Sequence, residues 1–197
     1  MHLTNEEQYE GVTFGGLIHS EEGFYGMGFI DCVFERCTLM QCSFAKCSFV
    51  SCTFLNCNLS VAQFLNCTLN GIAFKDSKVV GIDWTKAIPV RSNINPKMDF
   101  HNCILDYSNF SGLSLKEIEI VDCVVHEVDF TESDLSKGKF NGSDFEGSNF
   151  LHTNLSSADF VDAVNYAIDP TTNVMRKARF KLPEAISLLR GFDVTIE

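Results

Sequence analysis

A phenylalanine or leucine recurs at every fifth residue over most of this chain, and all nine cysteines stand two places before such a position. The first run passes through Phe14, Phe24, Phe29, Phe34, Leu39, Phe44, Phe49, Phe54, Leu59, Phe64, Leu69, Phe74, Val79 and Trp84, with His19 as its one polar member. The second passes through Phe100, Leu105, Phe110, Leu115, Ile120, Val125, Phe130, Leu135, Phe140, Phe145, Phe150, Leu155 and Phe160. Sixteen residues separate Trp84 from Phe100, so the frame slips by one between the runs. A period of five matches neither a helix near 3.6 nor a strand at 2, and no regular element can place all these residues on one continuous face.

The chain must therefore turn once per repeat. Within each pentad the centre and the residue two before it are apolar or small, which is the alternation of an extended segment with both side chains facing inward. The other three positions are mostly polar and face water. Short extended segments joined by corners stack into a solenoid filled by parallel ladders of side chains. The stretches "CTLMQCSFAKCSFVSCTFLNCNL" and "SDFEGSNFLHTNLSSADF" resemble the pentapeptide-repeat proteins, over roughly residues 12–163. The resemblance implies an all-β solenoid, a right-handed quadrilateral β-helix with four pentads per coil.

Five segments are expected: a lead-in over 1–11, a first repeat run over 12–86, a frame-breaking loop or irregular coil over 87–97, a second run over 98–163, and a tail over 164–197. Pro89 and Pro96 remove backbone donors in the third segment. In the tail, Pro183 is placed to open a short helix and Gly191 to end it. That helix is expected to cap the solenoid with Leu182, Ile186 and Leu189, and to pair with a second copy through Leu182, Ile186, Leu189 and Phe192.

Zinc sites use cysteine pairs two to four residues apart that converge on one ion, whereas these cysteines recur every five residues and would point inward. Residues twenty apart would stack at ~4.8 Å, but side chains held parallel lack the near-perpendicular dihedral of a disulfide. Free, packed thiols and a reducing compartment follow. The opening "MHLTNEEQYEG" is polar, and no stretch approaches the roughly 20 apolar residues of a membrane span. A cytoplasmic protein with no membrane partner is expected. No phosphate loop, metal-spaced histidine pair or activated thiol is present in the sequence, so a non-enzymatic protein without cofactor, metal or catalytic residues is expected.

Charge is uneven. Residues 1–97 carry nine acids and seven bases, residues 98–162 thirteen and three, and residues 163–197 four and five. At four pentads per coil the middle segment covers about three coils, or ~16 Å, and its net charge of −10 approaches the ~1.7 Å per charge of duplex DNA. Six acids, Asp99, Glu119, Asp129, Asp134, Asp144 and Asp159, precede a centre, where the repeat favours Asp or Asn for local reasons. Asp106, Glu117, Asp122, Glu127, Glu132, Glu146 and Asp162 have no such local reason, and they are the candidate partner-binding residues. Lys139 interrupts the series Asp99, Glu119, Asp159, so no face is expected to be uniformly negative. His126, twenty residues from both Asp106 and Glu146, is expected to join a surface ladder with them.

"GIDWTKA", "FHNCILDYSNFSGLSL" and "FVDAVNYAIDP" with "KARFKLPEAISLL" are similar to the albicidin-resistance branch of the pentapeptide-repeat family, and less closely to the Qnr-type quinolone-resistance branch. That resemblance implies a cytoplasmic homodimer joined through the C-terminal tail. It implies a DNA mimic that binds DNA gyrase or topoisomerase IV, modulates it or protects it from gyrase-targeting antibiotics, and does not itself bind nucleic acid. The alternative is a scaffold that binds an unrelated regulatory protein through 87–97 or a side face.

Overall fold

The computed structural model describes residues 3–87 and 96–192. Most of segment 87–97 therefore lies outside the described residues. The chain forms a parallel solenoid in which each residue of a coil pairs with the residue twenty further on: Tyr9 with Phe29, Phe14 with Phe34, His19 with Leu39, Phe24 with Phe44. Four pentads thus close one coil, as the family resemblance implied. We name the four sides by their first centres: face A begins at Tyr9, face B at Phe14, face C at His19 and face D at Phe24. The strands are only three or four residues long, and the three-residue strands of faces A, B and D bury their centre.

Each corner falls two residues after a centre. Asp31, Arg36, Gln41, Lys46, Ser51 and Asn56 all have φ between 51° and 56° there. This left-handed conformation costs an L-residue about 1–2 kcal/mol, and the cost is offset because the corner N–H meets the next coil: Arg36 N donates to Leu55 O at 2.9 Å and Ser51 N to Asn70 O at 2.8 Å.

Stacked rings fill the interior. On face B, Phe14, Phe34, Phe54, Phe74 and Phe100 lie nearly parallel at 4.6–5.1 Å. On face D, Phe44, Phe64, Trp84, Phe110, Phe130 and Phe150 do so at 5.1–5.9 Å. Burying each Phe contributes about 1.5–3 kcal/mol, with the offset stacking of ring quadrupoles in addition. Phe140 needs Gly138 beside it, since a Cβ on Gly138 would stand 2.6 Å from the Phe140 ring.

The slip between the runs is absorbed within a single rod. Ile72 pairs with Met98, Lys78 with Ile104 and Asp83 with Asn109, an offset of 26 residues against the usual 20. One coil is six residues longer than the others, and the coils after it return to the same four faces. Phe180 still stacks on Phe160 at 5.2 Å, which carries face B into the tail.

The inward position two before each centre is a polar ladder as well as a packing slot. Cys37, Cys57 and Cys67 each donate a thiol proton to the carbonyl of a centre in the preceding coil, at 3.2 Å. Ser143 and Thr153 do the same with their hydroxyls at 2.8 Å. The slot residue also accepts from above, as Ser77 Oγ does from Cys57 N at 2.9 Å. Cys, Ser and Thr recur there because they are small and can donate to a buried carbonyl. All nine thiols are buried and free. Burial pushes the Cys52 thiol up to about 11, so it is held as an unreactive thiol.

The C-terminal helix is a 3-10 helix over Glu184–Phe192, tighter than the α-helix for which Pro183 and Gly191 would have been the signals, and it continues past Gly191. Its capping contact also differs from expectation. Leu188 packs against the core, whereas Leu182, Ile186, Leu189 and Phe192 are exposed, Leu182 at 71%. Glu184 Oε1 accepts from Asn165 N at 2.8 Å and fastens the helix to the last coil. No helix among the described residues is long and apolar enough to cross a membrane.

The nine thiols of the native protein are expected to resist a soluble disulfide reagent and to react together once urea unfolds the rod. Cys52→Ser should keep stability within about 1 kcal/mol, because serine fills this slot elsewhere, whereas Cys52→Leu should lose about 1–3 kcal/mol by overpacking. Urea unfolding followed by the emission of Trp84, the single tryptophan, reads both.

Candidate functional site

The twenty-residue offset decides which outward charges become neighbours. Glu117, Asp122, Glu127 and Glu132 occupy the four corners of a single coil, each with positive φ, so they ring the rod and do not share one face. Asp162 stands on the same edge as Asp122, two coils on, while Asp106 and Glu146 lie on face C.

From Ile104 to Lys181 the lysines and arginines lie on two sides, although Lys78 stands on face C and Lys46 and Lys86 on face D in the earlier coils. Lys116, Lys137, Arg176 and Lys177 lie on face A and its following corner, and Lys139, Arg179 and Lys181 on face B. There they meet acids: Lys137 Nζ with Glu117 at 2.9 Å, Lys139 with Glu119 at 2.6 Å, Arg179 with Asp159 at 2.9 Å and Lys181 with Asp162 at 2.5 Å. The hydrogen bond from Lys137 holds the Glu117 carboxyl below the usual range. Of the seven candidate acids, Glu117 and Asp162 are therefore neutralised pairwise.

Faces C and D of the same coils carry Asp106, Glu127, Asp129, Glu132, Asp144 and Glu146, and neither Lys nor Arg from Ile104 to His152. The expectation that no face would be uniformly negative is thus corrected. Lys139 interrupts face B alone, and two adjacent sides form an acidic strip with Asp122 on its edge. Six charges over about three coils amount to one per ~2.4 Å at ~4.8 Å per coil, between the ~1.7 Å of duplex DNA and the ~3.4 Å of one of its strands. Sequence reasoning set Asp129 and Asp144 aside because the repeat favours Asp before a centre. Asp129 does serve a local turn, accepting from Thr131 N at 2.9 Å, yet its charge remains on face D.

His126 lies on face C of these coils. It sits between coils as expected, but with one different partner: its backbone N donates to Asp106 Oδ1 at 3.0 Å, and its Nε2 lies 3.2 Å from Asp144 Oδ2 rather than beside Glu146. Burial pushes the Asp144 carboxyl up, but the hydrogen bond from Asn165 Nδ2 and the nearby His126 ring outweigh it and leave the group below its usual range. No three His, Cys, Asp or Glu side chains among the described residues are placed to hold a metal ion.

Residues 27–98 match the family described as a pentapeptide repeat region, and residues 126–164 the family described as pentapeptide repeats in eight copies. Nothing among curated proteins matches the sequence. Among solved structures the chain is similar to a trypsin-treated form of QnrB1, a plasmid-mediated fluoroquinolone resistance protein. That likeness has 17% identity over 96% of this chain and 99% of the other, with a TM-score of 0.65. A second trypsin-treated form gives 20% identity over 98% and 92%, with a TM-score of 0.57. Full-length QnrB1 gives 17% over 95% and 100%, with 0.55. At these identities the likeness shows the shared solenoid fold.

A carboxyl whose folded pKa lies below the unfolded value of about 3.9 stabilises the fold above that pH and loses the contribution as pH falls through the folded pKa. Asp144→Asn is therefore expected to lower the urea midpoint at pH 7, and the gap from the parent protein should close as pH drops below about 4. Trp84 emission through urea titrations at pH 7, 4 and 3 checks this.

Proposed function

We propose that this chain, with its two pentapeptide-repeat regions, is a non-enzymatic DNA mimic that binds a type II topoisomerase, DNA gyrase or topoisomerase IV. In this reading it modulates the enzyme or protects it from gyrase-targeting antibiotics, as the resistance activity named for QnrB1 suggests, and it works in the cytoplasm. The observation that carries the proposal is the sorting of charge: from Ile104 to His152 faces C and D present acids without Lys or Arg, while faces A and B pair theirs. A basic groove built for a phosphate backbone would attract that strip at long range, steer it into register and release it at high salt. Asp106, Glu127, Glu132 and Glu146 form the proposed contact with Asp129 and Asp144, and Asp122 borders it. Glu117 and Asp162 lie outside it. Direct binding of nucleic acid by so acidic a strip is disfavoured by like charge.

Leu182, Ile186, Leu189 and Phe192 are the proposed homodimer contact, because they are exposed on, or in the case of Leu182 just before, a helix whose core contact is made by Leu188. Exposed apolar side chains grouped at one end of a soluble rod mark an association surface. A second reading, a scaffold for an unrelated regulatory protein, is favoured by the 26-residue coil, which departs from the repeat without breaking the rod. In that case reversal of the strip acids would leave the partner bound.

Micromolar or lower concentrations of the protein are expected to inhibit gyrase supercoiling or to relieve its inhibition by a gyrase poison, with the effect weakening as salt rises. Replacing Glu127, Glu132 and Glu146 together by Lys should abolish the effect with thermal unfolding unchanged, whereas Glu117→Lys with Asp162→Lys should reduce it far less. No effect of the unaltered protein on either topoisomerase would sink the proposal. For the dimer, Ile186→Asp with Leu189→Asp should give a monomer by sedimentation and keep the fold, while Leu188→Asp should lower thermal stability.

A further inference from the structure

On face D the backbone ladder lacks one rung. Along the rod a centre's N–H donates down to the next coil, as Leu59 N does to Lys78 O and Phe110 N to Asp129 O, both at 2.8 Å. The residue before the next centre donates back up, as Asn109 N does to Ile82 O at 2.9 Å. Between Phe64 and Trp84 these bonds are missing. Asp83 bridges to Asn109 on one side, but no bridge joins it to Gln63 on the other. Among the described residues, Phe64 N–H, Asp83 N–H and the carbonyls of Ala62 and Phe64 have no hydrogen-bond partner.

The cause is local. Trp84–Lys86 form a 3-10 turn, and Asp83 caps it by accepting from Thr85 N at 3.2 Å and Thr85 Oγ1 at 2.6 Å. That turn draws Thr85 N away from the carbonyl of Phe64. The slot residue that would elsewhere reach this carbonyl with a thiol, as Cys67 reaches Phe44 O, is here Ala87. A hollow of about 180 Å³ opens at the missing rung between Val61, Gln63 and Leu65 on one side and Gly81, Asp83 and Lys86 on the other. That is several times the ~30 Å³ share of one water.

We infer that this opened rung is a docking slot for an amide group of a polypeptide partner, either a main-chain peptide or an Asn or Gln side chain. Two unpaired donors and two unpaired acceptors ask for a group that offers both, and an amide does so in one plane. Val61 and Leu65 flank the hollow with apolar surface for the stem that carries it. The choice of a polypeptide rests on the proposed function above, because the slot lies on face D, in line with Asp129 and Glu132, where a protein lying along the acidic strip would reach it. The amide chemistry does not rest on that reading.

Nitrogen-15-labelled protein titrated with N-methylacetamide, and separately with methyl acetate, tests the inference without any topoisomerase. Saturable shifts are expected at backbone amides of residues 61–65 and 81–86 with the amide. Methyl acetate, which has no N–H, should bind at least about tenfold more weakly, the loss of about 1.4 kcal/mol. Gln63→Phe, a change at an exposed position that fills the hollow, should abolish the shifts while the urea midpoint stays in place. Absence of saturable shifts, equal response to the ester, or shifts that survive in Gln63→Phe would each overturn the slot, whatever the outcome with gyrase.

Discussion

Everything in this rod depends on the parallel backbone ladder that holds residue i over residue i+20. Because donors and acceptors of one coil are met by the next, the extended pieces need only three residues each, far shorter than a strand that must stand in an ordinary sheet. The same register forces like residues into columns. Phenylalanine stacks on phenylalanine, the slot residue hydrogen-bonds to the slot residue below, and corners repeat one left-handed conformation that would be costly without its bond to the next coil. The coil with six extra residues keeps the columns intact, which shows that register between coils, not spacing along the chain, is what the core conserves.

Columns also organise the outside. Pentad neighbours lie on different faces, so adjacent acids in the sequence are dispersed, and acids twenty apart are gathered. The pairing of Lys137 with Glu117 and Lys139 with Glu119 follows from that geometry, as does the absence, among the described residues, of any such partner for Glu127 and Glu132. Exposed pairs of this kind add little stability. Their consequence is electrostatic: in the acidic coils they neutralise charge on two sides of the rod and leave the field of the other two uncompensated.

The C-terminal end shows how a repetitive core is closed. Tyr166 and Phe180 carry the stack to the last coil at 5.5 Å, and Leu188 packs against the core. Burial of the Tyr166 ring pushes its hydroxyl up to about 12, with the Glu184 carboxylate nearby adding to the effect. The nine-residue 3-10 helix is long for its type, and its apolar residues are divided between the core and the outside. That division is set by the three-residue period of the helix, under which Leu188 and Leu189 face different ways.

The inward ladders, the corners, the burial of the cysteines and the solenoid class were legible in the pentad, because a five-residue period admits few conformations and the centre residues announce it. The acidity of the second run was equally plain from composition. What remained hidden depended on contacts between coils. Asp129 and Asp144 looked like local turn residues, Glu117 and Asp162 looked free, and Leu188 gave no sign that it, rather than Leu182 or Ile186, would meet the core. The open rung at Phe64 was invisible, since Gln63, Phe64 and Leu65 keep the repeat faithfully. A one-dimensional period determines which side chains point inward; only the twenty-residue stacking, with one coil of 26, decides which outward groups meet, because hydrogen bonds and charges act between coils rather than along the chain.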